Sequence, residues 1–586
     1  MTDGPLLSVR NLVTQVATPL GPKVLIDKLS FDLAKGETLC IAGESGSGKS
    51  ITALSLMGLL PTQARVVGGQ ALFKGRDLFT LGESQMRQVR GADIGMIFQE
   101  PMTSLNPVRT VGAQLIEAIT AHQAMGKAEA LAEARRLLAQ VQISDADRRL
   151  KQYPHEFSGG MRQRIMIAIA LAQSPDILIC DEPTTALDVT VQAQILSLLR
   201  HLQKENGISL ILITHDMGVV AEMAERVLVM RKGEVVEAAP VRKIFAAPEA
   251  PYTQALLAAV PKLGEMAGTT QPKRANAEAQ PVDPDEVVSV DDLTVRFNVR
   301  GGLFNRAAKR VHAVEGVSFT LKRGETLSLV GESGCGKSTT GKALMSLVPW
   351  TGKVRIDGTD IANLPPRSLK PVRRQIQMVF QDPYASLDPR MKVGELVAEP
   401  LVIHGLASGS ELTDRVAYLF GRVGLSRDDM GKYPHEFSGG QRQRICIARA
   451  LSVSPKAIIA DESVSALDVS IQAQVLDLLQ DIQNETGIAY LFISHDMAVV
   501  EQISHRVAVM YMGQFVETGT RAQIFENPRH AYTQRLMAAV PKPDPTLERR
   551  AFIADTRELP SPVHGLDYVP VRPTFLDVGA GHLVAE

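Results

Sequence analysis

The chain has 586 residues, 45% apolar and 22% charged content and a net charge of −1, the make-up of a globular protein of several domains with no general attraction to nucleic acid or anionic lipid. Its four cysteines, Cys40, Cys180, Cys335 and Cys446, are too dispersed for a C-x-x-C metal or redox site and fit a reducing cytoplasm. No apolar run approaches the roughly 18–20 residues that span a bilayer, and the N-terminus lacks the basic-then-apolar order of a signal peptide, so work at a membrane would need other subunits to cross it.

Residues 7–13 read as the start of an antiparallel β part, and residues 37–42 as a short buried strand. Gly43-Glu44-Ser45-Gly46-Ser47-Gly48-Lys49-Ser50 follows, then a helix over 51–57. Glycines let the backbone N–H groups turn inward around phosphate oxygens. Lys49 reaches the outer phosphates, and the Ser50 hydroxyl is placed for Mg²⁺. The helix start adds a positive field. Further on, Ser158-Gly159-Gly160 opens a second helix whose small residues offer bare N–H groups to an anion. Residues 177–180 and 209–213 are apolar on both faces, as central parallel strands are. Asp181-Glu182 ends the first of them: Asp181 can hold Mg²⁺ through water and Glu182 can polarise an attacking water. A helix is expected over 189–202. His215 ends the second strand, at the carboxyl edge where ligands sit in open α/β sheets, and is assigned to the terminal phosphate. Cys40, Cys180 and Cys446 lie in apolar runs as small core residues.

Every one of these features recurs in order. Gly331-Glu332-Ser333-Gly334-Cys335-Gly336-Lys337-Ser338 repeats the loop, with Cys335 a tolerated small side chain. Gln381 repeats Gln99, Ser438-Gly439-Gly440 the helix opening, Asp461-Glu462 the acidic pair, and His495 the histidine. The drift between copies falls upstream of Ser-Gly-Gly; beyond it the register is strict. The chain is a duplicated domain: copy one over 1–263, copy two over 287–545. Residues 264–286, rich in Ala, Gln, Pro and Thr without apolar periodicity, read as a flexible linker. Residues 546–586 read as an irregular tail packed on copy two.

Taken together, the phosphate loop, Gln99, Phe-Ser-Gly-Gly-Met, Ile-Leu-Ile-Cys-Asp-Glu, Ala186-Leu187-Asp188 and His215 resemble the nucleotide-binding domain of the ATP-binding-cassette family. Copy two resembles it equally, with Gln381, Phe-Ser-Gly-Gly-Gln, Asp461-Glu462, Ala466-Leu467-Asp468 and His495. The resemblance implies two tandem P-loop α/β cassettes, each a mostly parallel sheet core with an antiparallel β subdomain and a helical subdomain. It implies head-to-tail pairing of the cassettes around two ATP and Mg²⁺. One site would join the loop ending at Ser50 to Ser438-Gly439-Gly440; the other would join the loop ending at Ser338 to Ser158-Gly159-Gly160. Ser50, Gln99 and Asp181, and Ser338, Gln381 and Asp461, would hold Mg²⁺; Glu182, His215, Glu462 and His495 would carry the chemistry.

The stretches Gln99–Pro107 and Gln381–Pro389, the paired Tyr-Pro-His-Glu-Phe and the Pro-Tyr-Thr-Gln endings resemble the di- and oligopeptide importer branch. The fusion itself, Gly301-Gly302-Leu303-Phe304-Asn305-Arg306 and the ending over 578–585 resemble its glutathione-importing members. That branch implies an ATPase on the cytoplasmic face of a bacterial inner membrane, serving two transmembrane permease subunits and an extracytoplasmic solute-binding protein. Its cargo would be glutathione, short peptides or, in the same branch, a nickel chelate. A twin-cassette protein acting on ribosomes or DNA would need basic insertions or zinc cysteines, which the sequence lacks; a non-catalytic scaffold would not keep both Glu and His pairs. The cysteine-free tail implies no iron–sulfur cluster.

The adenine-stacking aromatic of the family aligns with Phe297 in copy two but with Val16 in copy one. Base stacking contributes about 1–3 kcal/mol. ATP is therefore expected to bind more weakly to the copy-one loop, measured in Lys337→Ala protein, than to the copy-two loop, measured in Lys49→Ala protein; equal affinities would remove the role given to Phe297.

Overall fold

The computed structural model describes residues 4–19, 21–100, 104–185, 187–269, 271–273, 285–301, 306–365, 367–465, 467–547 and 561–586. It divides into two compact units. The first runs to Val260 and takes back a short segment from Pro541; the second runs from Pro261 to Val540 and includes the chain end.

In the first unit, β1 (Leu7–Thr18), β2 (Gly21–Leu33), β4 (Ala64–Phe73) and β5 (Arg76–Asp77) make an antiparallel sheet in the order β2-β1-β4-β5. A six-stranded sheet has the order β10-β9-β3-β8-β7-β6. In it β3 (Thr38–Ala42), β6 (Ile94–Ile97), β7 (Ile177–Asp181), β8 (Ser209–Thr214) and β9 (Arg226–Arg231) are parallel, and β10 (Glu234–Pro240) is an antiparallel edge. Strand β3 explains why the apolar runs are unbroken. Leu39 and Ile41 point into a core shared with β1, β2 and the helix α1 (Lys49–Leu56). Cys40 and Ala42 point into the opposite core, shared with α2 (Val111–Thr120), α3 (Lys127–Gln140) and α4 (Gly159–Ala170). A strand with two dry faces has no polar position to give. Burial pushes the thiols of Cys40, Cys180 and Cys446 up, that of Cys446 to about 12, as small core residues require. The helix expected over 189–202 is α5 (Val189–Asn206), longer by four residues because it ends at Gly207 in the left-handed conformation (φ 66°). After β8 come α6 (Met217–Met223) and, past β10, α7 (Pro251–Ala259).

The second unit repeats this plan. β11 (Glu286–Gly301), β12 (Arg306–Lys322), β14 (Thr351–Ile356) and β15 (Thr359–Asp360) form the antiparallel sheet. β13 (Thr326–Val330), β16 (Ile376–Val379), β17 (Ala457–Asp461), β18 (Ala489–Ile493) and β19 (Arg506–Tyr511) are the parallel strands, with β20 (Gln514–Thr520) antiparallel to β19. Its helices include α8 (Lys337–Leu344), α9 (Val393–Ile403), α10 (Gly409–Arg422), α11 (Gly439–Leu451), α12 (Val469–Thr486), α13 (Met497–Ile503), α14 (Arg521–Glu526) and α15 (Ala531–Ala539). Three strands have no counterpart among the described residues of the first unit: β21 (Val563–His564) pairs with β12, and the hairpin of β22 (Phe575–Asp577) and β23 (Leu583–Ala585) pairs with β20. The described end of the tail thus meets the second unit through three short strands, and the chain between them is irregular.

The segment after α7 departs from a free linker. Gly264 donates its N–H to Glu501 at 2.6 Å, Gln502 donates to Glu265, and Lys273 donates its N–H to the Gln502 carbonyl at 2.9 Å. Met266 is buried, and the buried Arg521 donates to the carbonyl of Thr269. Composition hid this because most of the bonds are made by backbone groups of the segment, which any sequence offers. Residues 274–284 of the expected linker and 548–560 of the tail lie outside the described residues. Among those described, no helix is long and apolar enough to cross a membrane.

One scaffold contact differs between copies. The N–H that opens β3, on Thr38, donates to Glu225; its counterpart on Thr326 donates to Nδ1 of His505 at 3.0 Å. Burial holds the His505 imidazole down at about 4. The unfolded chain takes up this proton near 6.5, so the contribution is complete above that pH and is lost as pH falls towards 4, by roughly 3 kcal/mol at most. Thermal unfolding of His505→Gln should accordingly be less sensitive to acid across that window than unfolding of the unsubstituted chain.

Candidate active site

Each phosphate loop is shaped by what surrounds its glycines. Gly43 has φ 149°, and a Cβ there would lie 2.3 Å from the Met230 carbonyl oxygen of β9; Gly331 repeats this against Met510 at 2.2 Å. Only glycine meets both demands. The loop is closed by its own lysine: Lys49 Nζ donates to the carbonyls of Gly43 (2.7 Å) and Glu44 (2.9 Å), and Lys337 to those of Gly331 (2.6 Å) and Glu332 (3.0 Å). The ammonium is thereby held at the mouth of the curl where outer phosphates would sit. Ser45, Gly46, Ser47 and Gly48, with Ser333, Gly334, Cys335 and Gly336, complete the two curls; Cys335 is buried and stands where copy one has Ser47.

The strand ends converge on this loop. Ser50 donates to Asp181 at 2.9 Å and Ser338 to Asp461 at 2.7 Å. Glu182 follows β7 in the left-handed conformation (φ 48°), as does Glu462 after β17 (φ 46°). Their N–H groups donate to Ile213 and Ile493, both at 2.9 Å. A non-glycine residue held there stores strain of order 1–3 kcal/mol, a mark of functional sites. The turn aims the carboxylate at three side chains. Glu182 accepts from Gln99 (2.9 Å) and Thr185 (2.8 Å) and pairs with Nδ1 of His215 (3.1 Å). Glu462 accepts from Gln381 (2.7 Å) and pairs with His495 (3.4 Å). Ser465, which replaces Thr185, instead donates to the Glu462 backbone carbonyl, so Glu182 is the more tightly held of the two.

Burial alone would raise the Glu182 carboxyl, but the hydrogen bond and charge of His215, with Thr185 and Lys49, outweigh it and bring it down to about 2. Burial likewise works against a charge on His215, and Glu182 more than offsets it, so the imidazole lies above its usual range. Glu462 and His495 shift in the same directions by the same pairing. The neighbouring Asp181 is the opposite case: burial, helped by the charge of Glu182, raises it to about 6 against the Ser50 hydrogen bond and Lys49; Asp461 is also raised by burial. A buried carboxylate under this pressure, hydrogen-bonded to a serine hydroxyl, is a pair of oxygen donors suited to a hard cation such as Mg²⁺.

The helix openings stand on other elements. α4 packs on α2, α3, α5 and β6, whereas α1 packs on β2, β4 and β7. Ser158 caps α4, accepting from the Met161 N–H. In copy two Ser438 accepts from the Gln441 N–H, and the Gln441 side chain accepts from the Ser438 N–H in return; Met161 cannot make that second bond. The two glycines differ in purpose. A Cβ on Gly160 would lie 2.4 Å from Val191, and one on Gly440 2.3 Å from Ile471, so both let α5 or α12 approach. Gly439 has nothing within 4 Å, and Gly159 only Leu187 at 3.5 Å; nothing in the parent unit demands a glycine at either.

Phe297 lies in β11 opposite Val311 and is partly buried against the core of its unit; Val16 lies in β1 opposite Lys23. Ala186, Ala466, residues 101–103 and 302–305 lie outside the described residues. Sequence reasoning missed Thr185, the turn glycines Gly233 and Gly513, whose N–H groups donate to the loop carbonyls of Ser47 and Cys335, and Tyr252 and Tyr532. The tyrosine hydroxyls accept from the N–H of Glu44 (3.4 Å) and Glu332 (2.9 Å) across about two hundred residues of chain. The repeat of Tyr-Thr-Gln was the signal available, but its spacing gives no partner.

Two parallel-sheet cores with a P-loop, an acidic strand end and a Ser-Gly-Gly helix apiece define a tandem nucleotide-hydrolysing cassette, and the chain belongs to the ABC transporter family, whose profile matches residues 26–185 and 314–465. The profile of the oligopeptide/dipeptide transporter C-terminal region matches residues 236–286 and 516–564. The chain is similar along its whole length to the glutathione import ATP-binding proteins of Escherichia coli strain K12 and Shigella dysenteriae serotype 1. Each is 54% identical over 604 residues, covering 100% of this chain and 97% of the relative. Among solved structures, a dimeric ATP-binding cassette in a post-hydrolysis state bound to ADP and Pi is 26% identical, with a TM-score of 0.37, and covers 40% of this chain and 99% of its own.

The unequal glycines give a direct test of packing. Gly160→Ala or Gly440→Ala should lower stability by about 1–3 kcal/mol in denaturant unfolding, and Gly439→Ala should leave it unchanged.

Proposed function

We propose that this chain hydrolyses MgATP at two composite sites and that the hydrolysis drives inward transport of glutathione or a related short peptide. The reading is carried by Glu182, held ionised in a left-handed turn against Gln99, Thr185 and His215, and by its repeat at Glu462. Glu182 accepts the proton of the attacking water. The second ring nitrogen of His215, free of the Glu182 bond, contacts the terminal phosphate, and Lys49 neutralises charge on the outer oxygens. Ser50, Asp181 and the Gln99 amide oxygen, with Ser338, Asp461 and Gln381 in the other cassette, would hold Mg²⁺, which supplies charge neutralisation between the β- and γ-phosphates.

Ser438-Gly439-Gly440 would cap nucleotide on the loop ending at Ser50, and Ser158-Gly159-Gly160 nucleotide on the loop ending at Ser338. The bare surroundings of Gly439 within its own unit support this: the glycine then serves a neighbour rather than its own fold. Gln99 and Gln381 would pass closure to permease subunits in the inner membrane, with an extracytoplasmic binding protein delivering cargo and this chain peripheral on the cytoplasmic face. Glutathione as cargo is supported by the full-length likeness to the glutathione import proteins.

Glu182→Gln combined with Glu462→Gln should cut ATP turnover by roughly 10²–10⁴-fold while ATP binding persists; unchanged turnover would remove both residues as the base. For the cargo, cells carrying the importer with and without this chain should differ in growth on glutathione as sole sulfur source, and equal growth would exclude glutathione.

A further inference from the structure

In the second unit the phosphate loop is joined to the far end of the chain by an unbroken series of hydrogen bonds. The Glu332 N–H, inside the loop, donates to the Tyr532 hydroxyl at 2.9 Å. Tyr532 is buried, lies against the Tyr511 ring (4.6 Å between centroids) and stands in the first turn of α15. That turn is fixed from below by Glu517 of β20. Its two carboxylate oxygens accept from the N–H groups of Arg529 (2.7 Å) and His530 (3.1 Å). Glu517 is 0% exposed, and its Oε1 lies 2.7 Å from Nε2 of His582, itself 3% exposed. His582 sits between β22 and β23, the hairpin that covers β20 through Glu517↔Val584 and Thr518↔Leu583.

The first unit holds the same brace without its outer support. Glu237 accepts from the N–H groups of Glu249 (2.9 Å) and Ala250 (3.0 Å), but it is half-buried and β10 is the edge of its sheet. There the Glu44 N–H reaches the Tyr252 hydroxyl only at 3.4 Å. The two copies therefore compare a supported and an unsupported version of one device.

We propose that Tyr532 is a positioning residue for the second phosphate loop, and that the C-terminal hairpin, acting through His582 and Glu517, sets how tightly that loop holds the polyphosphate of a nucleotide. The inference rests on the reading that the loop from Gly331 to Ser338 binds ATP. A buried carboxylate accepting three hydrogen bonds has one low-energy orientation. Removing His582 frees Glu517 to turn, loosens the start of α15 and withdraws the tyrosine. A loop peptide whose N–H loses its acceptor no longer keeps its neighbours aimed at the phosphates.

The test is a titration of full-length protein carrying Lys49→Ala with a fluorescent N-methylanthraniloyl ATP, so that the second loop is the one read. Tyr532→Phe should weaken binding about three- to tenfold, the effect of one hydrogen bond, and His582→Ala about two- to fivefold. The double variant should be no weaker than Tyr532→Phe alone, because both act through one chain of contacts, and His582→Gln, which keeps a donor, should restore affinity. In the Lys337→Ala background, which reads the first loop, His582→Ala should change affinity less than about twofold, the background of unlinked substitutions. Full affinity in His582→Ala, or additive losses in the double variant, would overturn the inference while leaving the ATP reading intact. Failure of the unsubstituted chain to bind the probe would overturn both.

Discussion

One backbone hydrogen bond organises each site: the N–H of Glu182 on the carbonyl of Ile213, repeated as Glu462 on Ile493. Parallel pairing sets Asp181 of β7 opposite Ile213 of β8. The next residue must then turn, and it does so in the left-handed conformation. That turn sends the Glu182 carboxylate towards His215 at the end of β8 and Gln99 beyond the end of β6, while Asp181, still in the strand, faces Ser50. A shift of β7 by one residue would exchange the two acids between faces. The register is fixed by apolar side chains packed on both sides of the sheet.

The adjacent acids carry opposite electrostatic burdens. Glu182 has a partner imidazole and stays charged in a buried place; Asp181 has a serine hydroxyl and is pressed towards its neutral form. Two adjacent carboxylates are thus separated into one held charged and one pressed towards its neutral form. This is the usual way for one strand end to serve two roles.

The duplication allows the chain to vary one copy against a fixed plan. Thr185 becomes Ser465 and the bond moves from carboxylate to backbone. Met161 stands where Gln441 completes a reciprocal cap. Among the described residues, the second unit alone carries β21 and the β22–β23 hairpin, so its β20 is covered by a further strand where β10 of the first is a sheet edge.

Local sequence was enough for the parts whose chemistry is local. The glycine spacing around Lys49, the apolar run before Asp181-Glu182 and the recurrence of every motif gave the fold, the duplication and the candidate site residues that the structure brings together. Helix ends such as Asn206, and strands as short as β21 to β23, escaped because a few residues carry no period. What only the tertiary structure decided are contacts between distant segments: Gln99 on Glu182, Tyr532 on the loop, His582 on Glu517, and the grip of Gly264, Glu265 and Lys273 on α13. Several of these use backbone N–H or carbonyl groups, which every residue possesses and no sequence pattern marks. Their partners are chosen by how strands and helices pack, and packing is a property of the whole unit rather than of any stretch within it.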